Sequence, residues 1–440
     1  MPERDKNPVF DGAILSPKLK PADRADDSVI SIPIGKSAGA GGASVARAYK
    51  HAAGKSSTYS PEVVDMIYHM SRNGTFDDDA IGSFVKAKLA AEREHPCDTA
   101  PRTWDQLVFL SANLTRLVID PYREHCNSRV QIGAQRPKPL TLAWPVVFGG
   151  VDFVRLPQSL VGRFLAVTAQ GSLAAFLDDE ESSAIIPEGA RAIVRVDAPL
   201  PLPDLQRAAA VEISAPRASL IRRPLIEETV NAAREATHGE IPIGLVTPAC
   251  RAAEVVDETV TLDLDFYVAD AQWTTDARPA GIFPELLGAP DIEVLAEGID
   301  RLRHHCREET VQIIYRGGIR GGADAGKAIA LGATAVSIGL SAVIGMGFRI
   351  TQITDEVSLL QQIEDEQVAD DVVEDHLHNF AKSVNLEVTM LARACGKSSV
   401  CNMEPEDMRA LTSAVSAATG IPMVGKDVNF RQPLDERSNG

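Results

Sequence analysis

From about residue 140 onward, short apolar runs alternate along the chain with longer stretches of mixed apolar and polar residues. The short runs are typical of buried strands, and the mixed stretches have the spacing of amphipathic helices. This alternation predicts an α/β protein built on a closed (β/α)8 barrel, the TIM barrel. The predicted strands are Pro145–Phe148, Ala192–Val196, Ala210–Ile213, Ile243–Val246, Phe266–Ala269, Ile313–Tyr315 and Ala335–Ile338. The predicted intervening helices are Leu160–Thr168, Leu225–Ala236, Ile292–His304 and Ala323–Leu331.

Seven strands are visible in this pattern, whereas a barrel of this type needs eight. The missing strand is expected within residues 169–190, although no apolar run stands out there.

Helical patterns also flank the predicted barrel. Ser60 and Pro61 are residue types preferred at the N-cap and first turn of a helix, and an apolar face follows them. Further helices are predicted from Ile81 to about Arg93, from Pro101 through Leu110, and over residues 371–418 with an end at Gly396 and a new start at Pro405.

These patterns divide the chain into four parts. The parts are a disordered arm (1–55), a helical cap region (56–139), the barrel with its C-terminal helices (140–425) and a tail (426–440). The arm contains the run Lys36–Ser44, which is too rich in glycine, alanine and serine to bury a core. A nucleotide-binding loop there is disfavoured, because the spacing does not match a Walker loop and no strand precedes it.

Composition excludes several classes of function. The formal net charge of −17 argues against a nucleic-acid partner, which needs a basic face. No apolar run approaches the roughly 20 residues that cross a bilayer, and the charged N-terminus lacks a signal-peptide core. These features predict a cytoplasmic protein without membrane association. The six cysteines form no Cys-x-x-Cys pair, so no metal site is predicted.

A glycine-rich segment between the last two predicted strands carries the clearest candidate chemistry. The strand over 311–316 ends in Gly317-Gly318, a second glycine pair at 321–322 opens a helix, and the following strand ends at Gly339. Glycine admits a ligand close to the backbone, and the amides at such a turn and helix start point at an anion. The pattern predicts a phosphate site formed by the backbone at Gly317, Gly318, Gly321 and Gly339. The alternative is that the glycines serve tight packing alone.

Two charged residues near this segment have open interpretations. Arg316 could bind a phosphate through two hydrogen bonds, or it could form a salt bridge at the mouth of the barrel. Asp270 ends a strand at the predicted catalytic face, but aspartate also caps such turns for structural reasons. No catalytic residue can be assigned from local spacing.

The segment 313–347 resembles the FMN-phosphate region of the glutamate synthase barrel. Other segments that resemble this family are Trp104–Leu110, Tyr122–Glu124, Cys395–Ser399 and Asn402–Asp407. Tyr59–Pro61 and Asn73–Phe76 are similar to one branch in particular, the large subunits of N-methylglutamate synthase, also called methylamine–glutamate N-methyltransferase.

The resemblance implies an FMN barrel acting on the amino nitrogen of glutamate through a 2-iminoglutarate-like intermediate. It also implies glutaminase-like or other partner subunits that supply ammonia or an amine. Gly150 and Asp270 would lie beside the flavin, and the four glycines with Arg316 would lie at its phosphate. The cysteines that many family members carry after the last barrel strand are absent, so no iron–sulfur cluster is expected.

Four segments depart from the family pattern around the flavin ring. They are Gly150–Arg155, Ser214–Ala218, Val246 in place of a lysine, and Asp270–Thr275 in place of a glycine-rich turn. A missing lysine removes positive charge that stabilises a reduced flavin, and missing glycines admit Cβ atoms into the space of the ring.

Three hypotheses follow. The first, which we take as the predicted function, is a glutamate synthase-like oxidoreductase subunit with an FMN barrel. The alternatives are a non-catalytic family member that acts as a scaffold or regulatory subunit, and a barrel that binds a different phosphate ligand. The preserved phosphate segment favours the first and third, and the four departures favour the second.

Overall fold

The computed structural model describes residues 58–76, 103–112, 124–152, 155–171, 173–178, 186–198, 202–214, 223–248, 251–272, 281–286, 291–348, 350, 353, 355–366 and 368–425. The predicted arm, the predicted helix 81–93 and the predicted tail lie outside these residues. None of the helices in the described ranges is both long and apolar enough to span a bilayer.

Strands and helices are numbered here in chain order. The strands are β1 Leu107–Phe109, β2 Val130–Ile132, β3 Leu140–Leu142, β4 Val146–Phe148, β5 Ala174–Asp178, β6 Ala192–Asp197, β7 Ala208–Ser214, β8 Ile243–Pro248, β9 Phe266–Asp270, β10 Gln312–Arg316, β11 Ala335–Ile338 and β12 Met408–Ala410. The helices are α1 Pro61–Asn73, α2 Gln158–Gly171, α3 Arg223–Ala236, α4 Ala252–Thr261, α5 Glu293–His304, α6 Gly322–Ala330, α7 Leu340–Gly345, α8 Glu356–Asp365, α9 Asp370–Ala394 and α10 Ser413–Thr419.

Strands β4 to β11 form a closed barrel of eight parallel strands, which confirms the predicted fold. The missing strand is β5, inside the predicted interval 169–190. It begins with two alanines and pairs with β4 and β6. Its sequence lacks the run of β-branched residues that marks other buried strands, so its position is set by its neighbours rather than by its own propensity.

The register of the strands gathers polar residues at the carboxyl end of the barrel. Arg316 on β10 is paired with Asp270 on β9 and with Ser337 on β11, and Arg195 on β6 is paired with Glu212 on β7. In a parallel barrel, register partners lie at the same height, so these side chains share one layer near the mouth.

The opposite end of the barrel is covered by the antiparallel hairpin of β2 and β3. The amide of Gly133 in its turn donates to Gln312 Oε1 at 2.8 Å, and Arg136 pairs with Asp265 at 2.7 Å. Both partners stand at the amino ends of barrel strands, so the hairpin closes that end. The prediction that the cap region is helical up to residue 139 is therefore wrong for the hairpin strand β2.

Two predicted helices are replaced by a second small sheet. Residues Trp104–Gln106 form a single 3-10 turn, and β1 then pairs antiparallel with β12 instead of continuing as a helix. Pro405 likewise opens a 3-10 turn that leads into β12. Both errors have one cause: each strand finds its hydrogen-bond partner far away in sequence, which local periodicity does not reveal.

The predicted helix at Pro61 is confirmed as α1, with Ser60 as its N-cap and Gly74 as its left-handed C-cap. It packs against the long helix α9, and the hydroxyl of Ser383 donates to the carbonyl of Met70 at 3.0 Å. Helix α9 also packs on α6, so the two helices support the glycine-rich segment from outside the barrel.

Candidate functional site

Six of the seven predicted cofactor residues lie in the loops and strand ends at the carboxyl end of the barrel. A Cβ placed on Gly339 would lie 2.7 Å from the carbonyl oxygen of Gly149 and 3.1 Å from that of Gly150. A Cβ on Gly150 would lie 3.4 Å from Cγ of Arg316. Gly317 and Gly318 follow Arg316 directly, and Asp270 contacts its guanidinium group.

The seventh residue, Gly321, faces away from this cluster toward α1 and α9. A Cβ there would lie 3.3 Å from Cε of Met66 and 3.5 Å from Oε2 of Glu387. At the next residue, Gly322, a Cβ would lie 2.5 Å from the carbonyl oxygen of Val384. The second glycine pair therefore serves close packing of α6 against α9, which supports the packing interpretation for this half of the segment.

The first glycine pair forms the turn after β10. Gly317 and Gly318 have φ angles of 140° and 62°, which side chains with a Cβ rarely adopt. The turn exposes the Gly318 amide to the mouth of the barrel, as the predicted phosphate site requires. In the structure, that amide faces the carboxylate of Glu285 and favours its ionised form, which lowers the pKa of Glu285 against the effect of burial.

Glu285 lies in the 3-10 turn Pro284–Leu286 and is 3% exposed. Its Oε1 is 3.2 Å from the Cβ position of Gly339, so the carboxylate sits between the two glycine turns of the predicted phosphate site. The hydroxyl of Tyr59, which is fully buried, donates to its other oxygen. Burial raises the pKa of Glu285 to about 7, against the opposing effect of hydrogen bonds from Tyr59 and Gly318.

A second carboxylate occupies the start of helix α6. Glu387, which extends from α9 and is 5% exposed, has its Oε2 2.7 Å from the Cβ position of Gly322. Burial, followed by the nearby charge of Asp324, raises the pKa of Glu387 to about 7. The amides of Gly322 and Ala323 oppose this rise in pKa, so the start of α6 faces a side chain of the protein itself.

The raised pKa values have a defined effect on stability. The folded protein holds the protons of Glu285 and Glu387 more tightly than the unfolded chain, in which a glutamate has a pKa near 4.5. This contribution to stability is fully present below about pH 4.5 and is lost as the pH rises through about 7.

Arg316 lies inside the barrel and is 2% exposed. Its Nη1 donates to Asp270 Oδ2 at 3.0 Å and its Nη2 to Glu212 Oε1 at 2.7 Å. Its guanidinium carbon lies 4.1 Å from the centre of the Phe176 ring. Of the two interpretations of Arg316, the structure shows the salt bridge.

Glu212 joins Arg316 to a second arginine. Arg195 Nε donates to the other carboxylate oxygen of Glu212 at 2.6 Å. Burial alone would raise the pKa of Glu212, but Arg195 and Arg316 hold this pKa below its usual range. The four charges of Arg195, Arg316, Glu212 and Asp270 balance one another inside the barrel.

The arginine of the glycine-rich segment, Arg320, points outward. It forms hydrogen bonds with Asp324 and, at 2.7 and 3.0 Å, with the carboxylate of Asp105. Trp104 beside it packs edge-on against Tyr315, with ring centres 5.1 Å apart. The resemblance around Trp104 thus corresponds to a structural role, in which this turn supports the glycine-rich segment from behind.

Several polar atoms in the mouth have no hydrogen-bond partner. They are Nε of Arg316, Oγ of Ser337 and Oγ of Ser214, all on strand ends. Within the described part of the chain, no group of three or more histidine, cysteine or acidic side chains is placed to hold a metal ion.

Sequence reasoning missed the residues that fill the mouth. Arg195 and Glu212 interrupt apolar strands predicted to be buried on both faces, and this interruption could have indicated an internal ion pair. No local pattern indicated that Glu285 and Tyr59 would meet, because they lie 226 positions apart in the sequence. Glu285 stands in a loop, and Tyr59 stands just before helix α1.

Comparisons with known proteins identify the relatives of this chain. Residues 214–398 match the family described as the conserved region in glutamate synthase. Over 393 residues, the chain is 27% identical to the glutamate synthase large subunit-like protein of Rhizobium meliloti (strain 1021), covering 73% of this chain and 87% of that protein. It is 36% identical over 128 residues to the archaeal glutamate synthase (NADPH) of Methanocaldococcus jannaschii, but covers only 25% of that protein.

Among solved structures, flavocytochrome b2 with sulfite bound has 14% identity and a TM-score of 0.46, covering 77% of this chain and 82% of the other. Mandelate oxidase with a difluorinated hydroxy acid has 18% identity and a TM-score of 0.44, covering 82% and 96%.

Proposed function

We propose that this distant member of the glutamate synthase-like proteins is a non-catalytic barrel subunit whose own side chains occupy the position expected for a flavin. The observation that carries the proposal is the buried ion pair of Arg316 with Glu212 and Asp270 at the centre of the mouth. The position of Glu285 at the predicted phosphate site supports it independently.

The phosphate end of FMN does not fit the residues present. The carboxylate of Glu285 faces the Gly318 amide and lies 3.2 Å from the Cβ position of Gly339, so it would have to leave before a phosphate could bind. A phosphate next to an ionised Glu285 would bring like charges together in a buried site, where repulsion is strong. The carboxylate therefore competes with a phosphate for the same amide.

The ring end of FMN meets a second obstacle. The guanidinium group of Arg316 and the ring of Phe176 lie stacked in the mouth, beside Gly149 and Gly150. Moving Arg316 away would leave Glu212 with one cationic partner in a fully buried site. Breaking a buried ion pair from one side typically costs about 3–5 kcal/mol, so displacement of Arg316 by a flavin is strongly opposed.

The proposed role is that of a scaffold or regulatory subunit in an assembly of the glutamate synthase type, including the N-methylglutamate synthase branch. Support comes from the segments outside the mouth that resemble the family, whereas four segments expected around the flavin ring depart from its pattern. The outer segments form the β1–β12 sheet and helix α9, which are intact in the structure. Glutaminase-like or other synthase subunits are the proposed partners.

The direct test is to mix the purified chain with FMN, remove the excess and record the visible spectrum. We expect no protein-bound flavin absorbance. A flavin-binding glutamate synthase treated in parallel shows that the procedure retains bound flavin. Co-expression with synthase-type subunits, followed by affinity capture, should return at least one of them. Retained flavin would refute the proposal, and capture of no such subunit would remove the assembly role.

The second candidate is a catalytic FMN oxidoreductase acting on glutamate nitrogen. The observation in its favour is the set of unpaired polar atoms in the mouth, Nε of Arg316 and the hydroxyls of Ser214 and Ser337, which could serve a ligand. Protein-bound flavin that is bleached by a chemical reductant and recovers in air would support this candidate over the first.

A further inference from the structure

Two cysteines from distant parts of the chain stand on backbone segments that are paired with each other. Cys126 directly precedes Asn127, which forms an isolated parallel bridge with Ser399. Two backbone hydrogen bonds of 2.8 and 2.9 Å hold this bridge. Cys401 follows in the 3-10 turn Val400–Asn402. Paired backbones run about 4.8 Å apart, so the two cysteines stand near the separation that a disulfide requires.

The two thiols differ in exposure. Cys126 is 5% exposed, whereas Cys401 is exposed, and neither is part of a disulfide in the structure. Burial raises the pKa of the Cys126 thiol, Arg393 lowers this pKa, and Cys401 raises it because two thiolates repel each other. Each thiol therefore lies within the electrostatic reach of the other.

A cation stands beside the buried thiol. Arg393 on α9 donates from Nη1 to the carbonyl of Glu124 at 3.4 Å, which brings its guanidinium group to the segment that carries Cys126. Its Nε is buried and has no hydrogen-bond partner among the residues that the structure describes. A guanidinium group near a thiol favours the thiolate, which is the form that attacks an oxidised sulfur.

The loop that carries Cys401 is tied together by ion pairs. Lys397 Nζ pairs with Glu404 at 3.1 Å and with Asp407 at 3.4 Å. Cys401 lies between these residues in sequence, so it stands in a short loop whose two ends are joined. The ion pairs restrict the exposed thiol to the neighbourhood of Cys126.

We propose that Cys126 and Cys401 form a reversible disulfide when the protein meets a peroxide, and that this bond fastens the segment before β2 to the turn between α9 and β12. In the first step, the exposed Cys401 thiolate attacks hydrogen peroxide, which leaves a sulfenic acid on Cys401 and releases water. The Cys126 thiolate then attacks the Cys401 sulfur, the S–S bond forms, and a second water leaves. Two thiols and one peroxide thus give one disulfide and two waters, and a dithiol reductant reverses the reaction.

The bond would enclose the whole barrel. Strands β4 to β11 all lie between residues 126 and 401 in the sequence. A disulfide across such a long loop stabilises the folded state by restricting the unfolded chain. It would also join the segment that leads into the β2–β3 hairpin to the turn that links α9 with β12. The inference does not depend on whether the barrel binds flavin.

The experiment uses the full-length protein, reduced with dithiothreitol, freed of reductant and treated with a small excess of hydrogen peroxide. Peptide mapping by mass spectrometry without reduction should show the Cys126 peptide linked to the Cys401 peptide. The linked pair should be two hydrogens lighter than the two free thiol peptides together. The oxidised protein should melt about 5 °C higher than the reduced protein, and dithiothreitol should reverse this rise.

Three variants locate the effect. Cys401→Ser should lose both the linked peptide and the rise in melting temperature. Cys306→Ser is the matched control, since Cys306 is also exposed but stands at the end of helix α5, and this variant should behave like the wild type. Arg393→Gln should form the disulfide about three- to tenfold more slowly, because Cys126 loses the cation that favours its thiolate.

The outcomes decide each part of the proposal. Absence of the linked peptide in the oxidised wild type would overturn it, as would recovery of Cys401 bonded to a different cysteine. A disulfide that formed without raising the melting temperature would overturn the fastening role. Equal rates for the wild type and Arg393→Gln would overturn the role of Arg393. These results leave the flavin test of the proposed function untouched, so the two proposals fail separately.

Discussion

Replacing Arg316 with methionine tests whether the charges inside the barrel form a unit. Methionine has similar length and no charge, so the change removes the two hydrogen bonds to Asp270 and Glu212 with little change in volume. Glu212 would keep Arg195 as its partner at 2.6 Å, and Asp270 would keep the amide of Gln272 at 3.0 Å.

The expected loss of unfolding free energy in Arg316→Met follows from the burial of the ion pair. Arg316 and Glu212 have side chains that are 2% and 0% exposed, so solvent cannot replace the lost partner. Removal of one member of such a pair typically costs about 3–5 kcal/mol. The remaining contacts of Glu212 and Asp270 place the expected loss near the lower end, about 3 kcal/mol.

The assay is urea unfolding at neutral pH, followed by circular dichroism. The control is Arg303→Met, which removes an ion pair to Asp300 at 3.6 Å in which the two side chains are 50% and 30% exposed. Exposed pairs contribute about 0–1 kcal/mol, so this variant should differ little from the wild type. If Arg316→Met lost no more stability than Arg303→Met, the buried network would not hold the mouth together, and the argument against flavin would lose its main support.

The remaining predictions concern the glycine-rich segment and its carboxylates. The free energy of unfolding of the wild type should fall between about pH 5 and pH 8. Glu285→Gln should reduce this fall by up to about 3 kcal/mol, because the pKa of about 7 for Glu285 exceeds 4.5 by about 2.5 pH units. Urea unfolding at several pH values measures the fall, and an unchanged fall in the variant would contradict the raised pKa of Glu285. Gly322→Ala should destabilise by about 1–3 kcal/mol or more, because its Cβ would lie 2.4 Å from Cβ of Glu387. The matched Gly162→Ala, where nothing lies within 4 Å, should stabilise helix α2 by about 0.5–1 kcal/mol, and equal melting temperatures for the two variants would refute the packing argument.

The barrel could be predicted from the sequence because most of its strands are short apolar runs that are visible in the local sequence. Apolar runs identified seven of the eight strands, and the interval left for β5 followed from the required number of strands. The hairpin β2–β3 and the β1–β12 sheet were missed, since their strands are three residues long and depend on distant partners.

The candidate site was only partly predictable. The glycine pattern correctly located a backbone turn at the barrel mouth, because glycine conformations are local properties of the chain. The side chain that faces this turn comes from a distant part of the sequence. Glu285 reaches it from a different loop and Tyr59 from the segment before α1, so no spacing within the glycine-rich segment could reveal that a carboxylate faces the amide of Gly318.

The pairing of β1 with β12 has a consequence for synthesis of the protein. The two strands lie about 300 residues apart, so β1 leaves the ribosome long before its partner exists. Until β12 emerges, the nascent chain carries an unpaired edge of leucine, valine and phenylalanine, a feature that invites association with other strands. A chain truncated before residue 408 should therefore be less stable and more prone to associate than the full-length chain.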